Sequence, residues 1–446
     1  MKRPLHHNTR REVLGLGIPF LAGAALPQTG SCAAQAGEGA EAAADRSEPW
    51  PARRARMERA WLDLLGEFPR EILPLKVAMK EVARDGEITR YHVSFQSEPD
   101  DRVTAWLLVP DAARRRPVPA IVCVHSTTWG SGKDSTIGLS GRRPIDPPRD
   151  PQVGAAYGRD LARHGFVTLS IDLLTDGERI EPGRRIMDTR VFYARHPDWS
   201  IVGKNIWDVM RSVDFLQTLD TVTADQIGAI GWSLGGHSAL FAAAFEPRIT
   251  AVVSNGGVLD WHRHVDAWSR LPDSWTPWQE GDPPTNNPTL ERRFGFKTNS
   301  GPYIYIKRFR PYIDDPTLPI PVGFAELMMM VAPRPQLILS TEQEFYRHKV
   351  FPKCLEAFRV YLNWRDTVGM PSVVRARQER IGYDQTLAYY EKEHGIAPER
   401  MPDMFHELGA ADCFSWFSFP GGHGFPGVAR RHAFAWFDRW LGRTLE

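Results

Sequence analysis

Cysteine is scarce, net charge is nearly absent and no long hydrophobic run follows the N-terminal segment. Lys and Arg total 55 against 54 Asp and Glu, a formal charge of +1. That balance supplies no concentrated basic surface for nucleic acid or an anionic membrane. No stretch after the first segment offers the ~20 apolar residues a spanning helix needs, so no transmembrane segment is expected in the mature chain. Only 4 cysteines occur. Cys123 lies in an apolar run and reads as a small core residue, while Cys354 and Cys413 could pair in an oxidising compartment. No internal repeat is present. What remains is globular composition, 42% hydrophobic and 24% charged over 446 residues, enough for one large α/β domain with insertions or for two domains.

The N-terminal segment carries Arg10-Arg11 just before a mildly apolar run over residues 13–26. A run of that length, filled with Gly, Ala and Pro, resembles a twin-arginine export signal. Residues 1–35 are therefore expected to be a removed signal peptide, followed by a linker over 36–48, placing the mature protein in the periplasm or outside the cell. Cys32 resembles a lipoprotein attachment site only weakly, because Thr29 stands where such sites carry Leu, and soluble export is favoured over a lipid anchor.

From about residue 49 the pattern is that of a folded domain. Met57, Ala60, Trp61, Leu64 and Leu65 recur at helical spacing, giving a helical extension over 49–88 that precedes a main domain over 89–446. Alternation over 89–97 and 103–109 predicts an antiparallel hairpin. The continuous apolar run 120–125 suits a strand buried on both faces. Helices at 153–164 and 205–219 then alternate with strands at 167–172, 227–231 and 250–255, and a helix starts at Leu234. A strand at 336–340, a helix at 352–362, a strand at 413–419 and a helix at 428–441 complete the rhythm of right-handed βαβ units around a largely parallel sheet. Insertions at 256–325 and 365–410 interrupt it, and the first, rich in Trp, is expected to form a lid that contacts substrate.

The strongest chemical signal is Gly231-Trp232-Ser233-Leu234-Gly235-Gly236, directly after an apolar strand and before a helix-forming segment. A serine on a sharp strand-to-helix turn needs small neighbours at both flanks, and the helix N-terminus beside it favours developing negative charge. A serine hydroxyl also needs a base. His423, in Gly421-Gly422-His423-Gly424-Phe425-Pro426 after the last predicted strand, stands where the histidine of a Ser, acid, His order belongs.

Together with Ala332-Pro333-Arg334-Pro335, these motifs resemble bacterial α/β hydrolases of the dienelactone hydrolase and acetyl xylan esterase-like group. The resemblance covers roughly residues 90–440 apart from the insertions. It implies the α/β-hydrolase fold, a Ser, acid, His triad and carboxylic ester substrates, either small molecules or polysaccharide. The acid departs from the family pattern, for no aspartate follows the strand at 336–340. Glu342 is favoured, Glu344 is close behind, and Asp260 is a third option because some relatives supply the acid after the preceding strand. The oxyanion hole is expected from the backbone amides of Leu234 and Thr127, the latter in His125-Ser126-Thr127-Thr128, with His125 packed beneath that loop.

No cofactor or metal is expected. His262 and His264 lack zinc-site spacing, and Gly130-Ser131-Gly132-Lys133 lacks that of a phosphate loop. The competing readings are a serine peptidase of the same fold and a non-catalytic carbohydrate-binding relative.

Overall fold

The computed structural model describes residues 49–128, 130–139, 156–184, 188–258, 305–309, 311–312, 315, 317–341, 413–419 and 423–442. All but Pro49 belong to one compact unit, Trp50–Glu446. The export segment, the linker, the acids Glu342, Glu344 and Asp260, His262, His264, Cys32, Cys354, the helix expected at 352–362 and the insertion at 365–410 lie outside these residues.

Helix α1 (Trp50–Leu65) is followed by strands β1 (Ala78–Asp85), β2 (Ile88–Glu98) and β3 (Asp101–Pro110), the turn helix α2 (Asp111–Arg115) and β4 (Val118–Val124). Next come α3 (Lys133–Ile137), α4 (Tyr157–Arg163), β5 (Val167–Ile171), α5 (Arg190–Arg195), α6 (Ile201–Leu216), β6 (Val222–Trp232) and α7 (Leu234–Phe245). β7 (Ile249–Asn255), α8 (Phe324–Val331), β8 (Gln336–Thr341), β9 (Phe414–Phe419) and α9 (Gly427–Trp440) close the series.

The nine strands form one sheet in the order β1-β2-β3-β5-β4-β6-β7-β8-β9. The first three are antiparallel and join β5 antiparallel. From β5 onward every pairing is parallel. A parallel sheet needs helices on both faces, so its central strands read as unbroken apolar runs. Accordingly Ile121 to Val124 in β4, and Ile227, Ala229 and Ile230 in β6, are all fully buried. This is the architecture of the α/β-hydrolase fold.

One strand departs from the sequence reading. The extension over 49–88 holds α1 and also β1, whose sequence AMKEVARD is mostly exposed. Its residues favour helix locally, and no buried face imposes period two. The ladder to β2, from Ala78 opposite Ser94 to Asp85 opposite Ile88, makes it a strand.

Helix α7 lies at the centre of the packing. Each of its twelve residues is buried, because sheet and helices cover it on all sides. Trp61 of α1 meets Phe241 edge to face with ring centroids 4.9 Å apart. Phe324 of α8 meets the same ring at 6.0 Å. The far end of the first insertion also joins the core, with Tyr305, Ile306 and Phe309 at 5% exposure or less. At its C-terminal end the helix is tied down by Arg334, whose guanidinium donates to the carbonyls of Ala243, Glu246 and Ile249. Carbonyls at a helix C-terminus lack intrahelical donors, and a cation there also suits the helix dipole. Arg334 thus accounts for the Ala332-Pro333-Arg334-Pro335 motif as a structural fastening; the Ala332–Pro333 peptide is cis.

Candidate active site

The parallel strands all end on one edge of the sheet, and the segments leaving β4, β6 and β7 approach one another there. In such sheets that edge is where ligands bind. Ser233 links β6 to α7 with φ 57° and ψ −118°, a left-handed conformation that a residue with a Cβ adopts at a cost. Its amide donates to the Asn255 carbonyl at 2.8 Å, and its own carbonyl accepts from His237 at 3.1 Å in the first turn of α7.

The flanking glycines are required by close approach. A Cβ on Gly231 would lie 2.1 Å from the Gly235 carbonyl oxygen, and one on Gly235 would lie 1.9 Å from that of Val124. Gly236 approaches the Asn255 carbonyl in the same way, its Cβ position being 2.6 Å from the oxygen. Backbone therefore meets backbone around the serine, and the turn has a single available path. Ser233 itself stays half-buried.

Beside it, α7 points its N-terminus at the serine. The amides of its first turn, beginning with Leu234, have no acceptors within the helix, so Leu234 can donate to a charge forming at Ser233. The second expected donor, Thr127, follows β4, whose Val124 lies opposite Gly231 in the ladder. Among the described residues its amide has no acceptor.

The loop carrying Thr127 is held from both sides. His125 is fully buried; its Nε2 accepts from the Leu173 amide at 2.9 Å, so Nδ1 carries the proton and donates to the Ser126 carbonyl at 2.6 Å. That is the supporting position the sequence suggested for it. Thr128 donates its hydroxyl to Asp176 at 2.8 Å and accepts at the same oxygen from the Gly132 amide at 2.6 Å. Asp176, buried itself, also accepts from Gly177 at 2.8 Å.

A cluster of charges, most of them buried, lies behind this loop. The Lys133 ammonium sits between Asp172 at 2.6 Å and Glu178 at 2.7 Å. Burial works against its charge, yet the two carboxylates hold its pKa above the ordinary lysine value. Farther along, Arg179 pairs with Asp208 at 2.7 Å and Lys204 with Asp101 at 2.7 Å. Burial disfavours the Asp101 carboxylate, but Arg179 and Lys204 together hold its pKa well below the usual range.

His423 is exposed, and its ring lies 5.3 Å from that of Trp232, the residue before Ser233. The residue after it is anchored: the Asn255 side-chain amide donates to the Gly424 carbonyl at 2.9 Å. Phe425 is fully buried against Tyr157, with ring centroids 5.4 Å apart. The two residues read as nucleophile and base thus come from segments 190 positions apart in the chain, yet lie at one sheet edge.

The favoured acids follow immediately after Thr341, the last residue of β8, which pairs with Phe419 of β9, the strand leading to His423. Sequence reasoning passed over Asn255, Thr128 and Asp176. Only the Asp176-Gly177 turn left a local trace, since Asp-Gly is a turn signal, and it says nothing of a partner 48 residues away.

Residues 42–262 match the model of an "Abhydrolase family". The chain is 22% identical over 393 residues to the putative hydrolase YtaP of Bacillus subtilis (strain 168), covering 87% of this chain and 100% of that protein. A shorter likeness, 46% identical over 56 residues, is to the 2,6-dihydropseudooxynicotine hydrolase of Paenarthrobacter nicotinovorans, covering 13% of this chain and 14% of that one. Among solved structures a glucuronoyl esterase from Solibacter usitatus superposes with a TM-score of 0.55 at 17% identity, over 87% of this chain and 92% of its own. The fold is that of the α/β hydrolases.

Proposed function

We propose that this α/β hydrolase is an exported serine esterase that cleaves carboxylic esters of carbohydrate through an acyl-enzyme. The observation that carries the reading is the left-handed backbone of Ser233 between β6 and α7. A strained serine wedged between glycines at a helix N-terminus is hard to account for except as a nucleophile.

In the first step the Ser233 hydroxyl attacks the ester carbonyl while His423 takes its proton. The carbonyl oxygen gains negative charge and is met by the amides of Leu234 and Thr127. The tetrahedral adduct collapses, His423 returns the proton to the departing alkoxide, and the alcohol leaves. Water, deprotonated by His423, then attacks the acyl-enzyme; the acid is released and Ser233 regains its proton. Glu342 is assigned to orient the imidazole and stabilise it when charged, with Glu344 and Asp260 as the competing assignments.

The carbohydrate assignment draws on the fold shared with a glucuronoyl esterase and on the Trp-rich insertion at 256–325. Export draws on Arg10-Arg11 and the short apolar run after them. Among the described residues no helix is long and apolar enough to cross a membrane.

The test is a fluorophosphonate probe read by intact mass, followed by a panel of acetylated xylan, a glucuronate ester and a peptide amide. A single adduct is expected on the wild type and none on Ser233→Ala. His423→Ala should lower ester turnover by ~10⁴-fold or more with folding intact. An unlabelled, folded wild type that still retains polysaccharide would instead favour the carbohydrate-binding reading, and preferential amide cleavage the peptidase.

A further inference from the structure

Asn255 is the last residue of β7, next to the strand that delivers Ser233, and is opposite Trp232 in the ladder. Its carbonyl accepts the Ser233 amide at 2.8 Å. Its side-chain Nδ2 donates to the Gly424 carbonyl at 2.9 Å. The side chain is fully buried, and among the described residues its Oδ1 has no hydrogen-bond partner.

An asparagine that leaves a buried carbonyl unsatisfied gives up stability relative to a satisfied one. Such a residue is worth keeping where its other group does something a nonpolar side chain cannot. Here the other group holds the backbone directly after His423. The contacts close a ring: Trp232 and Ser233 on one side, Gly424 and His423 on the other, Asn255 bonded to both, and the Trp232 and His423 rings in contact at 5.3 Å. Loop residues following a strand are otherwise free to shift. A bond in a dry environment fixes the registry of two loops more firmly than one open to water.

From this geometry we infer that Asn255 is a positioning residue, which sets the distance between nucleophile and base by tying the turn of Ser233 to the loop of His423. Its hydrogen bonds run to the backbone of Ser233 and of Gly424, so it acts through them. The inference rests on the proposed serine-esterase reading. It predicts that losing the side-chain donor impairs the proton transfer from Ser233 more than it impairs ester binding.

The experiment compares wild type, Asn255→Leu and Asn255→Val, both lacking the donor, with Val252→Ala, a cavity in the same strand away from the site. Active sites are counted with the fluorophosphonate probe, and kcat per site, KM and thermal midpoint are measured on one activated ester. Expected is a loss of ~10–100-fold in kcat for both Asn255 variants, the scale of a misplacement of about 1 Å, with KM within about threefold. Val252→Ala should lower the midpoint while keeping kcat per site. The proposal falls if either folded Asn255 variant keeps kcat per site within threefold of wild type, or if Val252→Ala loses as much. Should Asn255→Leu not fold, Asn255→Val decides alone. A wild type that takes no probe and turns over no more ester than Ser233→Ala would instead remove the esterase reading beneath it.

Discussion

Gly235→Ala is the sharpest perturbation the turn around Ser233 offers. The added Cβ would stand 1.9 Å from the Val124 carbonyl oxygen, 2.6 Å from the Val124 carbonyl carbon and 2.7 Å from the His125 carbonyl oxygen. All three are backbone, so no side chain can swing aside. Ordinary contact begins near 3.4 Å, and the N-terminus of α7 and the end of β4 must separate by about 1.5 Å to restore it. Overpacking of this kind costs ~1–3 kcal/mol in stability. The effect on chemistry should be larger, because the two separated elements carry Ser233 with Leu234 on one side and the Thr127 loop on the other. A shift of about 1 Å between reacting groups is worth ~10²-fold in rate, and here the Thr127 amide is drawn away from the proposed nucleophile and from Leu234. Gly86→Ala is the control: Gly86 also has positive φ, at +58°, but nothing lies within 4 Å of a Cβ there. It should lose ~1 kcal/mol from backbone strain and no activity. Urea unfolding and ester turnover per titrated site on both variants would decide the matter. If Gly235→Ala keeps turnover within about threefold of wild type at unchanged stability, the close approach does not set the site, and the reasoning fails.

Two further outcomes follow from the same geometry. Asp176→Asn should loosen the loop of Thr127 by weakening the acceptor for Thr128, lowering kcat by ~10-fold or more while leaving KM nearly unchanged, less than the ~10²–10³-fold of losing an oxyanion donor outright; steady-state kinetics on one activated ester would measure it, and an unchanged kcat would count against the brace. Burial pushes the His237 pKa down to about 3, so between the unfolded value near 6.5 and that point the unfolded chain binds a proton the native state refuses. Stability should therefore fall as pH drops through this window, by ~1.4 kcal/mol per unit from this group. His237→Phe should flatten that slope when urea unfolding is compared at pH 7 and pH 4.5, and an identical slope would refute the assignment.

The parallel core was legible because its signal is local. Residues 120–124 and 227–231 are apolar without alternation, and both lie in strands buried from two sides. The strand-to-helix turn was legible for the same reason: glycines at fixed offsets around Ser233 reflect contacts made within a few residues and by the strand alongside. β1 was not, because an exposed strand carries no periodicity of its own and AMKEVARD favours helix. Asn255, Thr128 and Asp176 were hidden for a different reason. Each acts through a bond to a partner 48 or more residues away along the chain, and nothing in the nearby residues records such a bond. The short turn helices α2, α3 and α5 were missed as well, since five or six residues are too few for a helical period to declare itself.

The fastening of α7 by Arg334 bears on how the enzyme fails under denaturing stress. A helix end usually frays first, opening and closing many times for each global unfolding event. Here one guanidinium joins the last turn of α7, the residue after it and the first residue of β7, while the other end of the helix is locked between glycines and strand ends. Opening either end alone breaks contacts belonging to β4, β7 or the turn before β8. Amides along α7 should therefore exchange hydrogen only with the slowest class in the protein. Loss of activity in denaturant should then coincide with loss of the sheet, with no inactive but folded stage before it.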